Sequence, residues 1–184
     1  MNDKHIYIVA TQTGTILSRI LKLITKAPYN HSSISLEDDL HELYSFGRLN
    51  PYNPFIGGFV KESPQSGTFK RFNKTQAYVI QINVDAKTYY RSKHILEQMY
   101  HQRDEYAYNY KGLFLAGVQI PYWHENTFYC SEFVRDFLYR VQIEKPNTFP
   151  KIVKPQDFIN QYNHNCIYQG NLQDYSIKNQ TTYK

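Results

Sequence analysis

The chain predicts an α+β fold built on a small, largely antiparallel sheet packed against helices, and three observations carry that expectation. Short β-branched and aromatic runs recur at residues 6–10, 31–36, 40–48 and 77–84. Two of them are separated only by the acidic cluster Glu37-Asp38-Asp39, a separation that suits a hairpin. The helical patterns fall irregularly between the strands rather than alternating with them, which argues against a doubly wound parallel sheet. With 184 residues and no internal repeat, a single domain over residues 1–170 with a polar C-terminal tail at 171–184 is expected.

The elements follow in order. Ile6-Tyr7-Ile8-Val9-Ala10 ends at Thr11-Gln12-Thr13-Gly14 and reads as a buried first strand. Ile16, Leu17, Ile20, Leu21, Leu23 and Ile24 recur at helical spacing, and the pattern stops before Pro28, which disfavours helix in the residue preceding it. His31 to Leu36 and Leu40 to Arg48 form the hairpin. Residues 49–68 contain Pro51, Pro54, Gly57, Gly58, Pro64 and Gly67, so a long irregular loop is expected there, suited to a lid or groove wall. Ala77 to Val84 reads as a strand, residues 86–104 as a helix, and residues 110–120 as a further helix weakened by Gly112 and Gly117. Cys130 opens a helix whose apolar face is Phe133, Val134, Phe137, Leu138 and Val141. Cys166 to Gly170 reads as a last short strand with Cys166 in the core.

Composition excludes several function classes. The net charge of +5 is spread along the chain, with nine Lys/Arg against six Asp/Glu in residues 1–75 and twelve against ten in residues 76–184. Such a spread does not predict specific nucleic-acid recognition, which needs a concentrated basic patch. No run reaches the roughly twenty apolar residues of a membrane span. Two cysteines and no leader-like apolar run fit a reducing, cytoplasmic setting, although a Cys130–Cys166 disulfide is a rival arrangement. No cofactor and no metal are expected: His94 and His101 lie seven apart on one helix without a third ligand, and a solvated face explains them. The oligomeric state is left open. With 18 Tyr and 11 Phe, the chain has many rings to line a groove, and Tyr106-Ala107-Tyr108-Asn109-Tyr110 concentrates three of them, which suit packing over a sheet edge.

The chemistry centres on Cys130. A thiol at a helix N-terminus faces unpaired backbone N–H groups and the positive end of the helix dipole, both of which favour the thiolate. A nucleophilic thiolate also needs a base, and His31, at the start of a strand and flanked by Asn30, Ser32 and Ser33, is the leading candidate. A third polar group should orient the ring. Ser45 has the matching parity on the neighbouring strand and is placed first, with Glu42 next and His41 a further alternative, both nearer the turn.

Asn30-His31-Ser32-Ser33-Ile34-Ser35-Leu36, Leu43-Tyr44-Ser45-Phe46-Gly47-Arg48 and Phe128-Tyr129-Cys130-Ser131-Glu132-Phe133-Val134 together resemble the permuted papain-like cysteine amidases, the YiiX-type relatives of the NlpC peptidases. Pro155-Gln156-Asp157-Phe158 resembles the segment that follows the cysteine helix in that group. The resemblance implies a circularly permuted papain-like fold in which the histidine precedes the cysteine. It also implies a cysteine-dependent hydrolase or acyltransferase acting on an amide, ester or thioester of a small molecule, peptide or lipid-like substrate, with Cys130 as nucleophile and His31 as base. At the third position Ser45 departs from the stronger hydrogen-bonding groups of the relatives. That departure leaves a second expectation, an inactive papain-like module that binds a peptide or lipid.

Overall fold

A computed structural model describes residues 4–13, 28–50 and 52–175. Six strands make one sheet: β1 (Lys4–Gln12), β2 (His31–Ser35), β3 (Leu43–Asn50), β4 (Asn53–Glu62), β5 (Gln76–Val84) and β8 (Cys166–Asn171). Their order is β4-β3-β2-β1-β5-β8, and every neighbouring pair runs antiparallel. A separate two-stranded parallel ladder joins β6 (Ala107–Tyr108) to β7 (Thr127–Phe128). The helices are α1 (Gly67–Arg71), α2 (Ala86–His101), α3 (Tyr110–Gly117), α4 (Cys130–Arg140) and α5 (Pro155–Gln161). The α+β class with a largely antiparallel sheet is therefore observed. The helix expected from Ile16 to Ile24 lies outside the described residues.

Alternation along the strands divides the apolar residues between two faces. Ile6, Ile8, Ala10, Ile34, Phe46, Phe59 and Ile80 pack beneath α2, α4 and α5 through Leu96, Met99, Phe133, Phe137 and Phe158. Phe46 is the hub, with ring centroids 5.2–5.7 Å from Phe59, Phe128 and Phe133. The opposite face holds a smaller cluster of Tyr7, Val9, Leu43, Phe69, Val79, Leu172 and Tyr175.

Five expectations need correction. Residues 53–62 are not irregular loop but strand β4, paired with β3 from Asn50 opposite Asn53 to Leu43 opposite Glu62. Gly57 serves close packing instead: a Cβ there would lie 2.7 Å from the Tyr110 hydroxyl and 3.0 Å from the Tyr108 side chain. The hairpin turn is longer than expected, because Leu40 adopts a positive φ of 56° and is buried, so β3 begins only at Leu43. Cys166 is exposed rather than core, since β8 is the edge strand of the sheet. The tail does not begin at residue 171: Asn171 pairs with Gln76, and Leu172 and Tyr175 are buried in the smaller cluster. The helices end somewhat early, α2 at His101 and α3 at Gly117.

Candidate active site

The position of Cys130 is set by the capping of its helix. The Glu132 carboxylate accepts from the Tyr129 backbone N–H at 3.1 Å, which fixes the first turn of α4 so that Cys130 is its first residue. The same carboxylate accepts from Asn109 Nδ2 at 3.1 Å, while Asn109 Oδ1 accepts from the Gly112 N–H at 2.8 Å and caps α3. The Asn109 N–H donates to the Phe128 carbonyl at 3.0 Å, continuing the β6–β7 ladder. The N-termini of α3 and α4 are thereby tied through one buried asparagine, and the tyrosine-rich segment 106–110 is held beside the thiol.

Helix α4 meets β2 through a buried serine pair, Ser131 Oγ to Ser32 Oγ at 3.1 Å. Cys130 Sγ lies 4.0 Å from the Asn30 carbonyl, and the Ser32 N–H and Ser131 hydroxyl also face the sulfur. His31 follows immediately as the first residue of β2. Its ring and the Cys130 thiol interact. Its Nε2–H donates to Glu62 Oε2 at 3.0 Å. Ser45 Oγ donates to the same Glu62 oxygen at 2.6 Å.

Charge in this cluster is directional. Burial opposes ionisation of all three groups, yet their mutual interactions outweigh it. Burial alone would lower the His31 pKa, but the Glu62 carboxylate and then Cys130 raise it to about 10. Burial would raise the Cys130 thiol, but the hydrogen bond and charge of His31 hold it below its ordinary value. Glu62, likewise raised by burial, is lowered by the His31 charge and by hydrogen bonds from His31 and Ser45. The arrangement favours a thiolate–imidazolium pair anchored on a carboxylate.

The structure places Cys130 and His31 within reach of one another, and it places Glu62 on the ring where Ser45 was expected. Ser45 shares the correct face but reaches the site through Glu62 rather than through His31. Glu42 instead pairs with Lys61 Nζ at 3.0 Å and accepts from the Tyr44 hydroxyl, and His41 is exposed. Glu62 was hidden because it ends the strand that prolines and glycines disguised as loop. One signal pointed to it: it is the sole acidic residue between positions 43 and 75. Gly47 leaves room for the serine that bonds this carboxylate, since a Cβ there would sit 3.2 Å from Val60 Cγ2 and 3.3 Å from Ser45 Oγ. Both cysteines are free thiols, and His94 and His101 are exposed on α2. No family model, curated protein or solved structure matches the chain.

Proposed function

We propose that the chain is a cysteine-dependent hydrolase or acyltransferase of the permuted papain-like, YiiX-type kind, acting on an amide, ester or thioester. The observation that carries this reading is the Cys130–His31–Glu62 array, in which His31 lowers the thiol and Glu62, then Cys130, raises the imidazole in pKa. The order of the elements supports it as well, with the histidine strand β2 preceding the cysteine helix α4 and both packed on an antiparallel sheet. The strong acceptor whose lack suggested an inactive binding module is supplied by Glu62.

In this mechanism the Cys130 thiolate attacks the substrate carbonyl carbon, and its π electrons move onto the oxygen. Unpaired N–H groups in the first turn of α4 stabilise that oxyanion. Collapse of the intermediate breaks the bond to the leaving group, which takes the His31 proton, and leaves an acyl-thioester on Cys130. His31 then accepts a proton from water, or from an acceptor nucleophile, as that group attacks the thioester carbonyl carbon; collapse breaks the C–S bond, releases the hydrolysed or transferred acyl product and restores the Cys130 thiolate. Glu62 holds the ring in orientation and stabilises its charge throughout. The free thiols fit the reducing, cytoplasmic setting that belongs to this reading.

The test is intact-protein mass spectrometry during turnover of a panel of model esters, thioesters and amides. An acyl adduct on Cys130, absent together with turnover in Cys130→Ala, is the expected result. Full turnover by Cys130→Ala would overturn the reading.

A further inference from the structure

The neighbourhood of the thiol carries apolar side chains that the core does not use. At the end of the β3–β4 hairpin, Tyr52, Phe55 and Ile56 are exposed, Phe55 to 83%. On and just after α3, Phe114 is exposed to 77%, Val118 to 58% and Trp123 to 71%. The two groups are neighbours, because Gly57 packs directly against Tyr108 and Tyr110 at the start of α3. Tyr108 connects both to the site: its ring centroid lies 4.5 Å from that of Tyr110, and its backbone pairs with Phe128, two residues before Cys130. Solvated aromatic and aliphatic side chains clustered beside a cleft mark an interaction surface.

Its cations favour an anionic occupant. Residues 106–123 contain no acidic side chain, although exposed Asp104, Glu105 and Glu125 border them, and between 43 and 75 the sole one, Glu62, is buried on His31. The near balance of the chain's halves conceals this, since the acids of the first half gather at Glu37, Asp38, Asp39 and Glu42. The cations lie on the exposed rings themselves. The Arg71 guanidinium sits 4.2 Å from the Tyr52 ring centroid, and Lys111 Nζ sits 4.5 Å from that of Tyr122, beside Trp123. Lys70 and Lys74 flank Arg71 and are exposed. Aromatic rings with Lys and Arg seated on them suit the headgroup region of an anionic bilayer, where rings enter the acyl boundary and cations meet lipid phosphates.

We propose that the β3–β4 hairpin end and the α3 surface dock this protein on an anionic lipid bilayer, so that the thiol takes its acyl substrate from the membrane. The substrate half of this proposal rests on the hydrolase reading; the docking half does not. Trp123 is the chain's one tryptophan and lies in the proposed surface, so its emission reports docking directly.

The experiment mixes the full chain with vesicles of phosphatidylcholine alone or with added phosphatidylglycerol, and follows Trp123 emission and co-sedimentation. The expected result is a blue shift and sedimentation with the anionic vesicles, weakened by salt. Phe55→Ser and Phe114→Ser, each checked for an unchanged melting curve, should each lower the partition coefficient by about tenfold or more. Absence of any shift, equal binding to neutral vesicles, or binding that survives both substitutions would overturn the proposal. So would a shift that appears without lipid and tracks dimer formation, which would assign the surface to a second copy of the chain. Repeating the binding with Cys130→Ala separates the two ideas: docking that persists without turnover leaves the surface standing if the chemistry fails, and a reactive thiol on a protein that ignores vesicles leaves the chemistry standing if the surface fails.

Discussion

Glu62 decides what kind of histidine His31 is. A ring buried without a partner would be neutral and would leave Cys130 an ordinary buried thiol. Paired with Glu62, the ring's folded-state pKa is raised from 6.5 to about 10. Its contribution to stability is therefore fully present below pH 6.5 and is lost as pH climbs through about 10. The Glu62 carboxylate has the opposite sign: its pKa is lowered, so it stabilises above its ordinary value of 4.5, and that contribution is lost as pH falls through the folded value. Replacing Glu62 by Gln should bring the His31 pKa down and the Cys130 pKa up, moving the rise of alkylation rate toward the pH of a free thiol. Rate measurements with iodoacetamide across pH read this directly. An unchanged profile would remove Glu62 from the mechanism. Cys130 and His31 were legible in the sequence as a candidate pair because each sits at an element boundary with a chemical reason to be there. The carboxylate was not, because its position depends on a strand pairing that local residue preferences argued against.

At the scale of elements, the site depends on two helix starts sharing one cap. Asn109 is buried, and its side chain serves both the α3 N-terminus and the Glu132 carboxylate. Asn109→Ala should cost about 1–3 kcal/mol in denaturant unfolding, since it leaves a buried carboxylate short of a donor and α3 without its cap. It should also slow alkylation of Cys130, because the first turn of α4 loses an anchor. Helix α4 itself was readable from its apolar spacing and the polar loop before it. Strand β4 was not, since Gly57 is there for close approach of Tyr108 and Tyr110, a tertiary demand that leaves no local signature.

Across the whole molecule, one face of the sheet carries most of the core and the cysteine helix with it. Phe46 joins β3 to β4, β7 and α4 through ring contacts with Phe59, Phe128 and Phe133, so the core and the site's scaffold share a residue. Phe46→Ala should destabilise the fold by about 3–5 kcal/mol in a chemical denaturation curve. The antiparallel class could be anticipated because strand-length runs separated by short turns favour hairpins. The six-strand order could not, since it requires β5 to pair with β1 and β8 to close the edge across long separations. Among the described residues no helix is long and apolar enough to cross a membrane.

The central claim, that Cys130 is held as a thiolate by His31, is tested most directly by the pH dependence of Cys130 alkylation in the wild-type chain and in His31→Ala, with Cys166 replaced by serine in both. The account predicts that the wild-type thiol reacts well below pH 8.5 and that His31→Ala shifts the profile upward, with acyl transfer falling by about 10²–10⁴-fold. A wild-type profile that rises only near pH 8.5 and does not change in His31→Ala would contradict it.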